Sequence, residues 1–160
     1  MSNTVANLDE YALPAFVTFA SLVQQARFAK RVGLARMKYK VPVPETTGDP
    51  AFIRTFRAQQ NSVEFYPIAV SSLWLSSLFF HPVPSAIAGA IYVYGRQKYF
   101  DGYAQDSEKR LPGFRLSVNA LLALLAMSGA GVTTALLRRY ADTDLAAMAT
   151  ELINKVVSKQ

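Results

Sequence analysis

The chain has 160 residues, 51% hydrophobic and only 18% charged, so it is long enough for one domain and more apolar than a typical soluble domain. It contains no cysteine, which excludes disulfides, thiolate metal sites and a cysteine nucleophile. The formal net charge is +6, and of the 17 lysines and arginines eight lie in residues 27–57 and five in residues 96–115. Because this clustering is typical of membrane orientation signals, we predict no nucleic-acid partner.

Three apolar segments in the first two thirds of the chain predict membrane-spanning helices. The first, residues 11–32, is the least apolar, because Arg27 and Lys30 have to snorkel or to face the bundle for this segment to cross. The second and third, residues 52–80 and 85–103, are separated by a His-Pro-Val-Pro sequence that interrupts a helix. These segments therefore predict three crossings.

A fourth predicted span, residues 114–137, carries the clearest membrane signal. Residues 116–137 contain no charged side chain, and 22 residues at about 1.5 Å each reach roughly 33 Å, enough for the hydrocarbon core. Beyond this span, residues 144–157 have an amphipathic spacing that predicts an interfacial or bundle-capping helix. The predicted fold class is all-α: an integral membrane four-helix bundle with a short amphipathic C-terminal helix, in one domain over residues 1–160.

The two basic blocks flank the first and third connections between these spans, which lie on the same side of a four-span bundle. The second connection contains no lysine or arginine. By the positive-inside rule, we expect both basic connections to face the cytosol and both chain termini to lie on the opposite side.

Polar residues on two predicted helices indicate a ligand site. Arg57, Asn61 and Glu64 share one helical face just before the uncharged part of the second span. Ionisable groups beside a span are costly, so we expect them to face a bundle interior or a wet cavity; the alternative is a helix end that protrudes into water. The third helix and the basic connections bring further polar side chains to the same depth: Arg36, Arg96, Tyr99, Tyr103 and Arg110.

Such a set of side chains suits a small zwitterion with more negative than positive charge. Guanidinium groups bind carboxylates bidentately, and a carboxylate accepts an ammonium group. The adjacent apolar span suits a lipophilic second ligand from the bilayer. The pattern therefore predicts that two ligands are joined or presented here. His81, the single histidine, is interpreted as a turn residue beside Pro82, and we predict no metal site.

Several segments resemble one known family. RAQQNSVEFYP at residues 57–67, YVYGR at 92–96 and KYFDGY at 98–103 closely resemble the membrane-associated eicosanoid and glutathione metabolism (MAPEG) superfamily. ARMKYKV at residues 35–41 and KRLPGFRLS at 109–117 resemble its branch of type 2 microsomal glutathione S-transferases and leukotriene C synthases.

This resemblance implies a homotrimer that binds glutathione, as co-substrate, between neighbouring protomers near the cytosolic face. The implied reaction is conjugation of the glutathione thiolate to a lipophilic electrophile from the bilayer, such as a leukotriene epoxide or a xenobiotic, with reduction of lipid hydroperoxides as a further activity. The implied location, in contact with membrane lipid, is the endoplasmic reticulum or nuclear envelope.

Site residues follow from the resemblance by position. Arg110 falls on the arginine that stabilises the glutathione thiolate, and Arg36 and Gln59 are implied to come from the neighbouring subunit. Arg96 joins the set through its helix position, which suits carboxylate binding. The predicted glutathione-binding residues are Arg36, Arg57, Gln59, Asn61, Glu64, Arg96, Tyr99 and Tyr103.

The chain departs from the synthase pattern at two positions. Phe65 stands where the synthase has a tyrosine, so that hydroxyl contact is absent. Met37 stands where the synthase has a proposed proton-donating arginine, which favours the broader type 2 transferase. The alternative function is a non-enzymatic fatty-acid presenter similar to five-lipoxygenase-activating protein, which resembles this chain in style around Gln97. That relative lacks arginines at the positions of Arg57 and Arg110, so the enzyme is favoured.

Overall fold

The computed structural model describes residues 8–141 together with residues 150, 154 and 155. Within these residues the fold is all-helical, as predicted, and contains no strand. A 3₁₀ turn, Leu8–Tyr11, leads into the first long helix, and a second 3₁₀ turn, Glu108–Arg110, leads into the last. The four α-helices are α1 (Ala12–Lys38), α2 (Pro50–Phe79), α3 (Pro82–Gln105) and α4 (Leu111–Tyr140). The predicted amphipathic helix over residues 144–157 lies almost entirely outside the described residues.

Helix starts follow the residues that favour them. The Asp49 carboxylate accepts a hydrogen bond from the Ala51 N–H at 2.8 Å, and Pro50 occupies the first turn of α2, where its missing N–H is not needed. His81 Nδ1 accepts the Val83 N–H at 3.2 Å at the start of α3. The single histidine is therefore a helix cap in a turn, in agreement with its interpretation from the sequence.

The closest helix packing in the bundle is between α3 and α4. A Cβ atom at Gly95 would lie 2.8 Å from the Ser117 backbone nitrogen, and one at Gly113 would overlap the Tyr99 backbone. Only glycine allows the two backbones to approach this closely. This contact holds the C-terminal half of α3, including Tyr99, in a fixed position relative to α4.

The bundle buries small polar side chains and exposes large apolar ones. Such a distribution is typical of a helix bundle in lipid, where small residues permit close packing and apolar side chains face the bilayer. The buried hydroxyl residues include Ser62, Ser72, Ser76, Ser77, Ser85, Ser117 and Ser128. The exposed apolar residues include Phe16, Phe19, Leu22, Ile68, Leu75, Leu78, Ile87, Ile91, Leu122 and Leu125.

By length and composition, one helical stretch among the described residues, Glu108–Tyr140, is long and apolar enough to cross a membrane. It contains the segment for which the sequence gives the clearest membrane signal. The four helices agree with the predicted number, and a membrane crossing by each of the other three stays a prediction.

Candidate functional site

Polar side chains from α2 and α3 line a cleft of about 200 Å³. On α2 they recur every three or four residues and so share one face, and on α3 they are four residues apart. The lining residues are Arg57, Gln60, Asn61, Glu64, Tyr99 and Tyr103. The structure therefore brings together five of the seven residues predicted on these two helices and adds Gln60.

Gln60 is a lining residue that was not predicted from the sequence. It follows Arg57 by three residues and precedes Glu64 by four, so the helical period alone places it on the same face. Its Oε1 accepts a hydrogen bond from Arg57 Nη1 at 3.0 Å. Gln60 therefore steers the arginine side chain at one end of the cleft.

Opposite charges lie at the two ends of the α2 face. Arg57 and Glu64 are both exposed and are seven residues apart, which corresponds to about 10 Å along a helix. Asn61 lies between them, and its Nδ2 donates to Glu64 Oε2 at 3.4 Å. A ligand with a carboxylate and an ammonium group can therefore place each against an opposite charge within one cleft.

The α3 wall of the cleft is aromatic. Tyr99 is buried, Tyr103 is half-buried, and their ring centroids are 5.7 Å apart in an edge-to-face arrangement. Phe114 of α4 packs against Tyr99 at 6.0 Å. The phenols thus present a packed wall opposite the charged α2 face.

Arg110 lies beside this wall, just before α4. Its Nη1 donates to the Ser107 carbonyl at 2.7 Å, and its guanidinium carbon lies 4.9 Å from the centre of the Tyr103 ring. The side chain is half-buried and does not itself line the cleft. Arg110 therefore contacts a tyrosine that lines the cleft.

Arg96 lies behind the cleft. It is fully buried, and its Nη2 donates to Asn61 Oδ1 at 3.0 Å and to Ser62 Oγ at 3.1 Å. Its spacing from Tyr99 predicts that this side chain lies on the same helix face and binds the ligand. In the structure Asn61 stands between Arg96 and the cavity, so this arginine contacts a lining residue and is not one itself.

Arg36 and Gln59 do not line the cleft of their own chain. Arg36 Nη1 donates to the carbonyl oxygens of Pro42 and Glu45 at 2.8 and 2.7 Å, and its guanidinium lies 4.9 Å from the Phe52 ring centre. Within one protomer, Arg36 therefore holds the connection between α1 and α2. The predicted contribution of Arg36 and Gln59 to a neighbour's site stays a prediction.

An apolar cleft of about 340 Å³ lies between α1 and α3, on a different side of α3 from the polar cleft. The two cavities share no lining residue. The apolar cleft is lined by Phe16, Val17, Ala20, Gln24, Ala90, Val93, Tyr94 and Gln97.

The fold and the cleft together define an integral membrane four-helix bundle with a charged ligand cleft near one end. The chain belongs to the MAPEG family, whose model matches residues 14–130. This confirms the resemblance inferred from the motifs.

Individual relatives point to one branch of that family. Microsomal glutathione S-transferase 2 of Homo sapiens is 48% identical over 135 residues, which cover 84% of this chain and 91% of the relative. The protein of the same name from Bos taurus is 45% identical over 134 residues, covering 84% and 92%. Leukotriene C4 synthase of Bos taurus is 40% identical over 124 residues, covering 78% and 83%.

Proposed function

We propose that this protein is a membrane glutathione transferase that binds glutathione in the α2–α3 cleft and joins its sulfur to a lipophilic electrophile. The observation that carries the proposal is the cleft itself, with Arg57 at one end and Glu64 at the other. The similarity to proteins named microsomal glutathione S-transferase 2 supports the same conclusion.

Glutathione carries two carboxylates, one ammonium group and one thiol. In the proposed complex, Arg57 binds a carboxylate through its planar fork of donors, and Glu64 accepts the ammonium group. Asn61, Tyr99 and Tyr103 supply hydrogen bonds along the length of the peptide. The separation of about 10 Å between the charged ends is suited to a tripeptide.

Arg110 is the proposed activating residue. A thiol with a pKa near 8.5 is only a few per cent ionised at neutral pH, and the thiolate is the reacting form. A guanidinium is a permanent cation, so beside the sulfur it favours the thiolate without giving up a proton. The proposal is supported by the position of Arg110 against the Tyr103 ring at the edge of the cleft.

The chemical step is nucleophilic attack by that thiolate. The glutathione thiol loses its proton to water, and the sulfur forms a bond to an electrophilic carbon. With an epoxide, the carbon–oxygen bond breaks and the oxygen takes a proton. Met37, at the position of the synthase's proposed proton donor, has no proton to give, and its side chain is exposed, so we assign this proton to water.

The proposed assembly is a homotrimer in the endoplasmic reticulum or nuclear envelope membrane, with each cleft toward the cytosol and all four helices crossing. Arg36 and Gln59 of one protomer then complete the cleft of the next. The electrophile, being lipophilic, enters from the bilayer. A presenter without enzymatic activity is not favoured, because it leaves Arg57 and Arg110 without a role.

A glutathione titration of the detergent-purified protein tests the proposal. We expect saturable binding accompanied by thiolate absorbance in the near ultraviolet. The control ligand is S-methylglutathione, which keeps the charged groups but has no ionisable thiol, and we expect it to bind without that absorbance. Absence of both binding and absorbance with glutathione itself would refute the transferase.

A further inference from the structure

Arg96 is a fully buried arginine at the depth of the polar cleft, and its contacts explain why it is there. A charge inside a helix bundle is costly unless its donors are matched. Its Nη2 donates to Asn61 Oδ1 and to Ser62 Oγ. Its guanidinium carbon lies 4.5 Å from the Tyr99 ring centre and 5.2 Å from that of Phe65.

These two hydrogen bonds are the ones that Arg96 makes within the described part of the chain. Its Nε and Nη1 have no hydrogen-bond partner among the described residues. The two aromatic faces supply the remaining stabilisation of the charge. The bond to Asn61 therefore accounts for about half of the hydrogen bonding of a buried cation.

A guanidinium group has donors only, so it dictates which end of an amide faces it. Arg96 selects the carbonyl oxygen of Asn61, which leaves the amide NH₂ group on the other side of the side chain. That group donates toward Glu64 Oε2 at 3.4 Å and belongs to the lining of the cleft. Without Arg96, the amide could turn over and present its carbonyl oxygen to a ligand.

We propose that Arg96 is a positioning residue: it holds Asn61 from behind so that the cleft presents an N–H donor to an anionic group of the ligand. This inference rests on the proposed binding of glutathione in the same cleft. Arg96 then sets the donor polarity of the site without contacting the ligand, in contrast to Arg57, which contacts it directly.

A double-mutant cycle on glutathione binding separates positioning from direct contact. We expect Arg96→Met to raise the Kd for glutathione about tenfold, the size of one lost hydrogen bond to a charged group. In an Asn61→Ala background the same substitution is expected to change the Kd less than about twofold, because the residue through which it acts is gone. Equal effects in both backgrounds would overturn the proposal.

Two further measurements distinguish positioning from a general loss of structure. In steady-state assays the Arg96→Met protein is expected to show a raised KM for glutathione and a kcat within about threefold of wild type. Ser62→Ala removes the other acceptor of Arg96 and leaves Asn61 in place, so its Kd is expected to stay within about twofold of wild type. A tenfold loss of glutathione affinity in Ser62→Ala would show that any disturbance of Arg96 weakens binding. That result would contradict the specific role of Asn61.

Asn61→Asp tests the same proposal if Arg96→Met does not fold. The substituted carboxylate retains a partner for the buried guanidinium but replaces the N–H donor in the cleft by an oxygen that only accepts. We expect weaker glutathione binding than in Asn61→Ala, and binding equal to wild type would overturn the proposal. Absence of glutathione binding by the wild-type protein would instead refute the proposed function.

Discussion

Two polar clusters adjoin the C-terminal half of α3, and they differ in how their hydrogen-bonding groups are used. In the cluster between α1 and α3, Gln24 Nε2 donates to the Val93 carbonyl at 2.9 Å and to Gln97 Oε1 at 3.4 Å. Gln97 in turn donates to Asp101 Oδ2 at 2.7 Å, and Asp101 forms an ion pair with Arg31. Within this cluster, amides, carboxylate and guanidinium are partners of one another.

The cluster between α2 and α3 is built from the same residue types but leaves groups available. Arg57 is bonded to an amide, and it forms no ion pair among the described residues. Among the residues that the structure describes, the Glu64 carboxylate accepts one long hydrogen bond, from Asn61. We call the cluster between α1 and α3 the paired cluster and the cluster between α2 and α3 the open cluster. Charged groups that are paired within the chain have a structural role, whereas charged groups without such a partner indicate a ligand site.

The largest expected effect is at the edge of the open cluster. Lowering a thiol pKa of about 8.5 by about two units raises its ionised fraction at pH 7 from roughly 3% to roughly 75%. Arg110→Ala is therefore expected to remove the thiolate absorbance and to lower turnover at pH 7 about 25-fold, while glutathione still binds. The measurement is absorbance and rate on the same purified sample.

The pH profile of this variant has a definite sign. Without the cation, the thiolate fraction below pH 8.5 rises about tenfold per pH unit, so the rate of Arg110→Ala should climb with pH while wild type stays nearly flat. Arg115→Ala, an exposed arginine one turn into α4, is the matched control and should behave as wild type. Retained absorbance and turnover in Arg110→Ala would contradict the assignment.

A second prediction concerns the negative end of the cleft. We expect Glu64→Gln to weaken glutathione binding about tenfold, because the ammonium group loses a charged acceptor. A deaminated glutathione analogue should bind wild type and Glu64→Gln with similar affinity, as measured by calorimetry in detergent. Glu10→Gln, at an exposed carboxylate on the first 3₁₀ turn, serves as the control. If the analogue also binds Glu64→Gln about tenfold more weakly than wild type, Glu64 acts on a group other than the ammonium group.

A third prediction tests whether the open cluster is completed by a neighbour. If Arg36 of one protomer serves the Arg57 cleft of the next, Arg36→Ala and Arg57→Ala are each nearly inactive alone but complement each other in mixed trimers. Random co-assembly should leave about a quarter of the clefts with both arginines. The measurement is activity of the co-purified, differently tagged proteins. Activity no higher than that of either variant alone would place the site within one protomer.

The smallest effect is expected in the paired cluster. Asp101→Asn removes the ion pair with Arg31. The two side chains are 43% and 42% exposed, respectively, so solvent screening limits the loss of stability to about 1 kcal/mol. We expect the thermal midpoint in detergent to fall by a few degrees and the glutathione Kd to stay within about twofold of wild type. Glu64→Gln should instead raise the glutathione Kd and leave the thermal midpoint nearly unchanged. A loss of glutathione binding in Asp101→Asn would remove the distinction between the two clusters.

The sequence by itself determined which residues share a helix face. The period of 3.6 residues places Arg57, Asn61 and Glu64 on one side of α2 and groups Tyr99 with Tyr103 on α3, and the structure brings these faces together at one cleft. The start of α2 is local in the same sense, because capping by Asp49 depends on only two or three neighbouring residues. Local geometry was sufficient for these features. The third helix, in contrast, begins at Pro82, three residues before the predicted start of the third span.

Only the tertiary structure decided how deeply each polar side chain is buried and which groups it contacts. Spacing places Arg96 on the same face as Tyr99, but the distance between α2 and α3 determines that it is buried behind Asn61 and does not line the cleft. Likewise, the backbone path of the α1–α2 connection brings three carbonyl oxygens to Arg36. Periodicity fixes an angle around a helix axis, whereas burial and pairing depend on how closely a second segment approaches, which no local pattern encodes.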